Sequence, residues 1–370
     1  MQNLRAIDYH LGVADRKVRL LARLTPVNAS QERRKFLYAY ARERVYNPFF
    51  RYKKSSMNLG RLAAKLSSLS IGTPAPKTEE WFFARHLQKR RKRILEKIRA
   101  IEHIGSCAFA LHARRLFGKP SREQIREAQT HLHPASAISF LHSKDSLSTN
   151  GAAKILQKRI DRHALPWRVK LRSSISSKAG LDARSKYLLI KTGERFAPEE
   201  VESLAVHEVE THIFRKENGA LQRFPNLFGG GFAGPPTTEE GLAFFNETQY
   251  RTYDTRRVLI VAARTIAANL AYSKSFYEIF RVLVHYGLPC EYAWAATLRI
   301  KRGFSDTSQP GAFPKDHHYL KGYLAIKKYA KQGGDLRALY IGKLNLDTIR
   351  PLAKLNIQIR DPRYLPRYLQ

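Results

Sequence analysis

The chain has 370 residues, of which 43% are hydrophobic and 11% aromatic, which supports a large core in one big domain or two and excludes a disordered chain. Sixty-six lysines and arginines face 31 acidic residues, a formal +35, with +19 over residues 1–150 and +16 over the remaining 220. A basic surface this widely spread draws polyanions (nucleic acid, acidic protein tails or anionic membranes) without choosing among them. Only Cys107 and Cys290 are present, so no disulfide framework exists and a reducing compartment is expected. The first residues lack a secretory signal pattern and no 18-residue apolar run occurs, so the reading is a cytoplasmic chain with no membrane span.

Residues 1–25 read as a short helix and a loose basic arm. Residues 28–46 read as a helix capped by Asn28 or Ser30 and stopped at Asn47-Pro48, because the residue before proline disfavours helix. Met57, Leu59, Leu62, Leu66 and Leu69 recur at helical spacing over 56–70. "GTPAPKTEE" breaks the chain, and a long amphipathic helix follows over about 80–103. Helical pieces and loops fill 104–165. "WRVKLRSS" (167–174) and "SKYLLIKTG" (185–193) then read as strands of a small antiparallel sheet with one wet face. Pro198, followed by Glu199 and Glu200, opens a helix over about 198–216, and Asn218-Gly219 reads as its left-handed stop. A glycine- and proline-rich loop covers 224–238, and a further helix starts at "EEGLAFFNETQY". Helices are expected over 255–272, 274–286, 289–301, 316–332 and 346–355.

The chemistry concentrates in "HEVETH", which holds His207, Glu208 and His212. Two neutral imidazoles, a third ligand and a carboxylate to take a proton make a zinc hydrolase site. The familiar spacing is H-E-x-x-H, and here one residue is inserted. On a regular helix residues five apart differ by about 140° and do not share a face. A π-bulge within Glu208–Thr211 would absorb the insertion and return His212 to the side of His207. The same residues also read as two unrelated histidines on a solvated helix. Other pairs, "HLH" at 131–133 and "HH" at 317–318, read as surface or supporting residues. Glu239 and Glu240, 27 and 28 residues beyond His212, are placed to offer the third ligand. Glu240 also fits a capping box with Thr237, which needs no metal.

At these motifs the chain resembles the tyrosine carboxypeptidase family, the QEGLA-motif proteins of bacteria, one animal member of which trims the C-terminal tyrosine of α-tubulin. The resemblance rests on "HEVETH", "ENG" and "EEGLA". It is extended by "YNPFFRY" (46–52), by "RIKRGF…GAFPKDHHYLKGYLAI" (299–326) and by "IGKL" (341–344). It implies an α+β, mostly helical fold: a zincin-like metallopeptidase with a small antiparallel sheet beside the H-E-x-x-x-H helix. The expected organisation is a basic N-terminal arm (1–25), a helical region packing on the catalytic core (26–160) and a zincin-like catalytic region (161–370). One strand is expected to line the cleft as an edge for extended substrate.

The resemblance also implies one Zn2+ per chain on His207, His212 and Glu240, with Glu208 as general base. It implies hydrolytic removal of a C-terminal residue, such as tyrosine or another aromatic, from a peptide or protein with an acidic tail. A carboxypeptidase must hold the substrate's terminal carboxylate with a cation. Arg299, Arg302 and Lys315 are candidates, and Tyr319 is a candidate donor to the oxyanion; each also reads as ordinary surface charge or core. Glu210 stands where many members have glycine, either facing solvent or altering substrate preference. Two alternatives remain: a non-catalytic relative, and a nucleic-acid-binding protein using the basic face of "KRRKRILEKIR" (89–99).

Overall fold

The N-terminal apolar residues are buried on helical spacing. Leu4, Ile7, Leu11, Ala14 and Val18 form the inner stripe of helix α1 (Gln2–Val18). The segment expected as a short helix and a loose basic arm is thus helical over Gln2–Val18 and packed, in this computed structural model, against the long helix α5 (Glu79–Glu102). The structure describes residues 1–53, 57–132, 146–173, 175, 177–250 and 255–370. Its helices are α1, α2 (Leu20–Arg23), α3 (Ala29–Tyr40), α4 (Leu59–Ser67), α5 (Glu79–Glu102), α6 (Phe109–Phe117), α7 (Arg122–His131), α8 (Thr149–Arg162) and α9 (Pro198–Leu204). They continue with α10 (Phe214–Ala220), α11 (Pro225–Gly230), α12 (Thr237–Gln249), α13 (Thr255–Leu270), α14 (Phe276–His285), α15 (Cys290–Lys301), α16 (His318–Lys331) and α17 (Leu346–Lys354). No helix among the described residues is long and apolar enough to cross a membrane.

Among the described residues the chain is mostly helical with two small sheets, an α+β arrangement. Strands β1 (Leu147–Ser148) and β5 (Arg195–Phe196) form a short antiparallel ladder. The larger sheet has the order β2 (Arg168–Arg172), β4 (Tyr187–Lys191), β3 (Ala179–Asp182). It corrects the expectation of a purely antiparallel sheet. β4 returns from β3 as a hairpin partner and lies parallel to β2, with Val169 opposite Leu188. β3 escaped notice because "AGLD" is four residues long and contains a glycine, too short to show a period. The expected loop over 224–238 contains α11, whose Pro225 occupies the first turn and starts the helix with φ already fixed.

Among the described residues three apolar clusters make the core. One joins α1, α5 and α6 to Phe224, Phe228 and Phe232. A second gathers Phe36 and Phe50 with α13, α14 and α15, and a third lies between α8, the sheet and the segment 201–214. The "YNPFFRY" and "RGF" blocks, far apart in sequence, meet here. Phe50 N–H donates to Ser305 O at 2.9 Å, Gly303 N–H donates to the Tyr52 hydroxyl at 2.8 Å, and Thr307 Oγ1 donates to Pro48 O at 2.6 Å. The basic run 89–93 is largely absorbed in packing. Arg93 donates to Leu116 O, Arg91 to Leu69 O and Arg90 to Asn226 O, leaving Lys89 and Lys92 exposed.

Candidate active site

The helix begun by Pro198 does not keep α geometry. It is wound as a π-helix over Ala205–Ile213, flanked by α9 and α10, and all nine residues are buried. Thr211 Oγ1 donates back five residues to Val206 O at 2.9 Å, within the widened turn. The extra residue in "HEVETH" is thereby taken up, and the His207 and His212 rings lie 4.8 Å apart at 89°. Gly219 is not a left-handed stop. The helix runs through it to Ala220, and glycine is needed there because a Cβ would lie 2.5 Å from the α11 backbone at Phe228 and Gly229.

Helix α12 brings the carboxylates. Its N-cap is Pro236, and Thr237 makes no capping bond, so the capping-box reading of Glu240 does not hold. Glu240 Oε2 instead lies 3.8 Å from both His207 Nε2 and His212 Nε2, and its Oε1 accepts from Lys315 Nζ at 2.6 Å. Glu239 and Glu247 take the far side of each ring: His212 Nδ1 meets Glu239 Oε1 at 2.7 Å, and His207 Nδ1 meets Glu247 Oε1 at 2.6 Å. Both Nε2 atoms are thus turned toward Glu240. Helix α12 reaches this position because Gly241 lies directly against Gly322 of α16, where a Cβ would stand 2.1 Å from the Gly322 carbonyl carbon.

His207, His212 and Glu240 each offer one ligand atom, all within 4.8 Å of one another. Ligand atoms around a tetrahedral zinc at 2.0–2.2 Å stand about 3.4 Å apart, a few tenths of an ångström less than the 3.8 Å from Glu240 Oε2 to each histidine. Carboxylate-held imidazoles are the usual support of a metal-ligating histidine. The donor set therefore fits zinc. Its charge fits as well. Burial alone would lower the His207 pKa, but the neighbouring Glu240 and Glu247 carboxylates overcome that and hold it up at about 9. Burial works to raise the Glu240 pKa, and Lys315 beside it with the two imidazoles keeps it well below the usual carboxylate range.

Glu208 is buried beside these groups, and its carboxylate makes no hydrogen bond or ion pair among the described residues. Tyr319 stacks on His207 at 6.1 Å between centroids, with its hydroxyl unbonded among the described residues. Burial first, and Glu240 next, raise its pKa well above the usual phenol value, so it stays protonated. Of the expected carboxylate-binding cations, Arg299 donates Nε and Nη2 to Asp316, Lys315 is engaged with Glu240, and Arg302 lies over the Phe313 ring 3.9 Å from Asp316. Glu210 does not face solvent; it is buried and paired with Arg159. His317 and His318 are not surface residues but are buried with their Nε2 atoms each 2.9 Å from Phe117 O. His133 of the "HLH" run lies outside the described residues.

Several site residues were not singled out in the sequence. Glu247 carried a signal, since it is seven residues after Glu240 on one helix and shares its face. Lys343, in "IGKL", pairs with Glu239 at 2.6 Å, and Arg215, fully buried, donates to Glu239 and to Leu339 O and Leu344 O. Arg257 donates to both Glu247 oxygens.

The family described as microtubule-associated tyrosine carboxypeptidase matches over residues 35–370. Human microtubule-associated tyrosine carboxypeptidase 1 is 33% identical over 182 residues, 46% of this chain and 37% of its own length. The rat protein of the same name is 31% identical over 181 residues (46% and 38%), and a mouse putative tyrosine carboxypeptidase is 29% identical over 181 residues (46% and 34%). The aligned region thus spans little more than a third of these relatives' own lengths. With the family match running over nearly all its residues, the chain belongs to the microtubule-associated tyrosine carboxypeptidase family.

Proposed function

We propose that the chain is a zinc-dependent carboxypeptidase with a zincin-like centre, removing a C-terminal residue such as tyrosine from a peptide or protein with an acidic tail. The observation that carries this reading is the convergence of His207 Nε2, His212 Nε2 and Glu240 Oε2, with both imidazoles held from behind by carboxylates. A zinc ion held by these three would supply Lewis acidity toward the scissile carbonyl and the attacking water. The protein's part begins with Glu208, whose carboxylate is unengaged among the described residues and accepts the water proton, then delivers it to the leaving amine. Tyr319 donates its hydroxyl hydrogen bond to the carbonyl oxygen as charge develops there. Arg299 and Arg302 surround Asp316 and keep the neighbourhood positive for a substrate that ends in a carboxylate. The non-catalytic reading lacks support, since no member of the His, Glu, His and Glu set is replaced.

The test is Glu208→Gln assayed on a library of peptide C-termini. The substitution keeps shape and zinc ligands but removes the base, so activity should fall by about 10²–10⁴-fold with zinc content unchanged. A variant as active as the wild type would remove Glu208 from the mechanism. Salt-sensitive binding to DNA or RNA without any peptidase activity would favour the nucleic-acid reading instead.

A further inference from the structure

The arginines around Asp316 are not equivalent. Arg264, Arg299 and Arg302 all approach this one carboxylate, a surplus of two positive charges in a buried cluster. Arg299 satisfies itself on both Asp316 oxygens. Arg257, two turns before Arg264 on α13, is engaged with Glu247. Arg264 reaches Asp316 only at 3.8 Å, makes no hydrogen bond among the described residues, and has a buried Nε with no acceptor. Arg302 likewise has an orphaned Nε, but its side chain is only 6% exposed and its guanidinium is closed off against Phe313. The Arg264 side chain keeps 16% of its surface open. Burial and the neighbouring Arg299 depress the Arg264 pKa to about 9, the direction expected of a guanidinium that lacks its anion.

A buried guanidinium Nε without an acceptor costs stability unless a ligand completes it. From this geometry we infer that Arg264 is the residue that receives the substrate's terminal carboxylate. The inference rests on the reading above that the metal centre faces a peptide C-terminus. It shifts the anchoring role from the cations already engaged, Arg299 and Lys315, to the one guanidinium of this cluster that is both unbonded among the described residues and open.

The test measures binding rather than turnover, so that it stands apart from the catalytic reading. The probe is N-acetyl-Gly-Glu-Tyr, as the free acid and as the C-terminal amide, titrated calorimetrically into zinc-loaded Glu208→Gln chain. The acid should bind on the order of 10²-fold more tightly than the amide. In the double variant Glu208→Gln, Arg264→Met that preference should collapse to below about threefold, with zinc content retained. The unfolding midpoint of Arg264→Met should rise, because an unmatched buried charge has been removed. A preference that survives in the double variant, an acid and amide that bind alike in Glu208→Gln, or a midpoint that drops would each overturn the assignment. Tight, Arg264-dependent binding of the acid in a wild type that cleaves no peptide would uphold the anchor and defeat the proposed reaction.

Discussion

Replacing Gly241 by alanine should disable the metal centre from outside it. A Cβ at 241 would stand 2.1 Å from the carbonyl carbon of Gly322, 2.2 Å from its Cα and 2.6 Å from Tyr323 N, all backbone atoms of α16 that cannot rotate away. Carbon atoms rest at about 3.5–4.0 Å, so α12 and α16 must part by roughly 1.5 Å. Glu240 is the preceding residue on α12, and its Lys315 partner lies just before α16. The separation therefore falls on the 2.6 Å Lys315–Glu240 pair and on the 3.8 Å approaches of Glu240 to both histidines. Overpacking of this kind costs about 1–3 kcal/mol, which in a chain of this size lowers the unfolding midpoint by about 1–4 °C. A misplacement of about 1 Å at a catalytic centre costs on the order of 10²-fold in kcat/KM. Gly60 serves as the control, since a Cβ there would meet only Asn58 Oδ1 at 3.6 Å. The assays are thermal unfolding, peptidase kinetics and zinc retention against a chelator. A Gly241→Ala chain matching the Gly60→Ala chain in all three would refute the helix-contact argument.

Glu247→Gln should leave His207 a weaker rear partner and lower zinc affinity by about 10–100-fold, read by competition with a chromophoric chelator. Acid should destabilise the fold through His317 and His318. Burial, first among the causes, holds them near 4 and 2, below the unfolded value of about 6.5, so between pH 6.5 and 4 the unfolded chain binds protons that the folded chain does not. Stability should then fall with pH by up to about 1.4 kcal/mol per unit for each histidine. Melting curves over pH 4–7 check this, and a midpoint flat across that range would contradict it.

Much of the site could be read in the residues. The π winding followed from counting degrees along "HEVETH", because an imidazole five positions on cannot otherwise return to the same side. The helix start at Pro198 followed from local end signals. What could not be read depends on contacts across the fold. Gly219 and Gly241 looked like a stop and a motif letter, whereas each is the point where another backbone passes too close for a side chain. Asp316 offered no local hint that it gathers three arginines, two from α13 and α15 and one just past α15. The direction of β2 against β4 was equally hidden, since alternation shows which face is wet but not which strand lies alongside. The stripe of Leu4, Ile7 and Leu11 has helical spacing, but the surrounding basic residues hid that the segment is packed.

The central claim is that His207, His212 and Glu240 together hold one zinc ion. Metal analysis of the purified chain, after exchange against a weak chelator, tests it most directly. The account predicts about one zinc per chain in the wild type, the same in Glu208→Gln, and loss in His212→Ala and Glu240→Ala. A wild-type chain without zinc, or a His212→Ala chain that keeps a full complement, would contradict it.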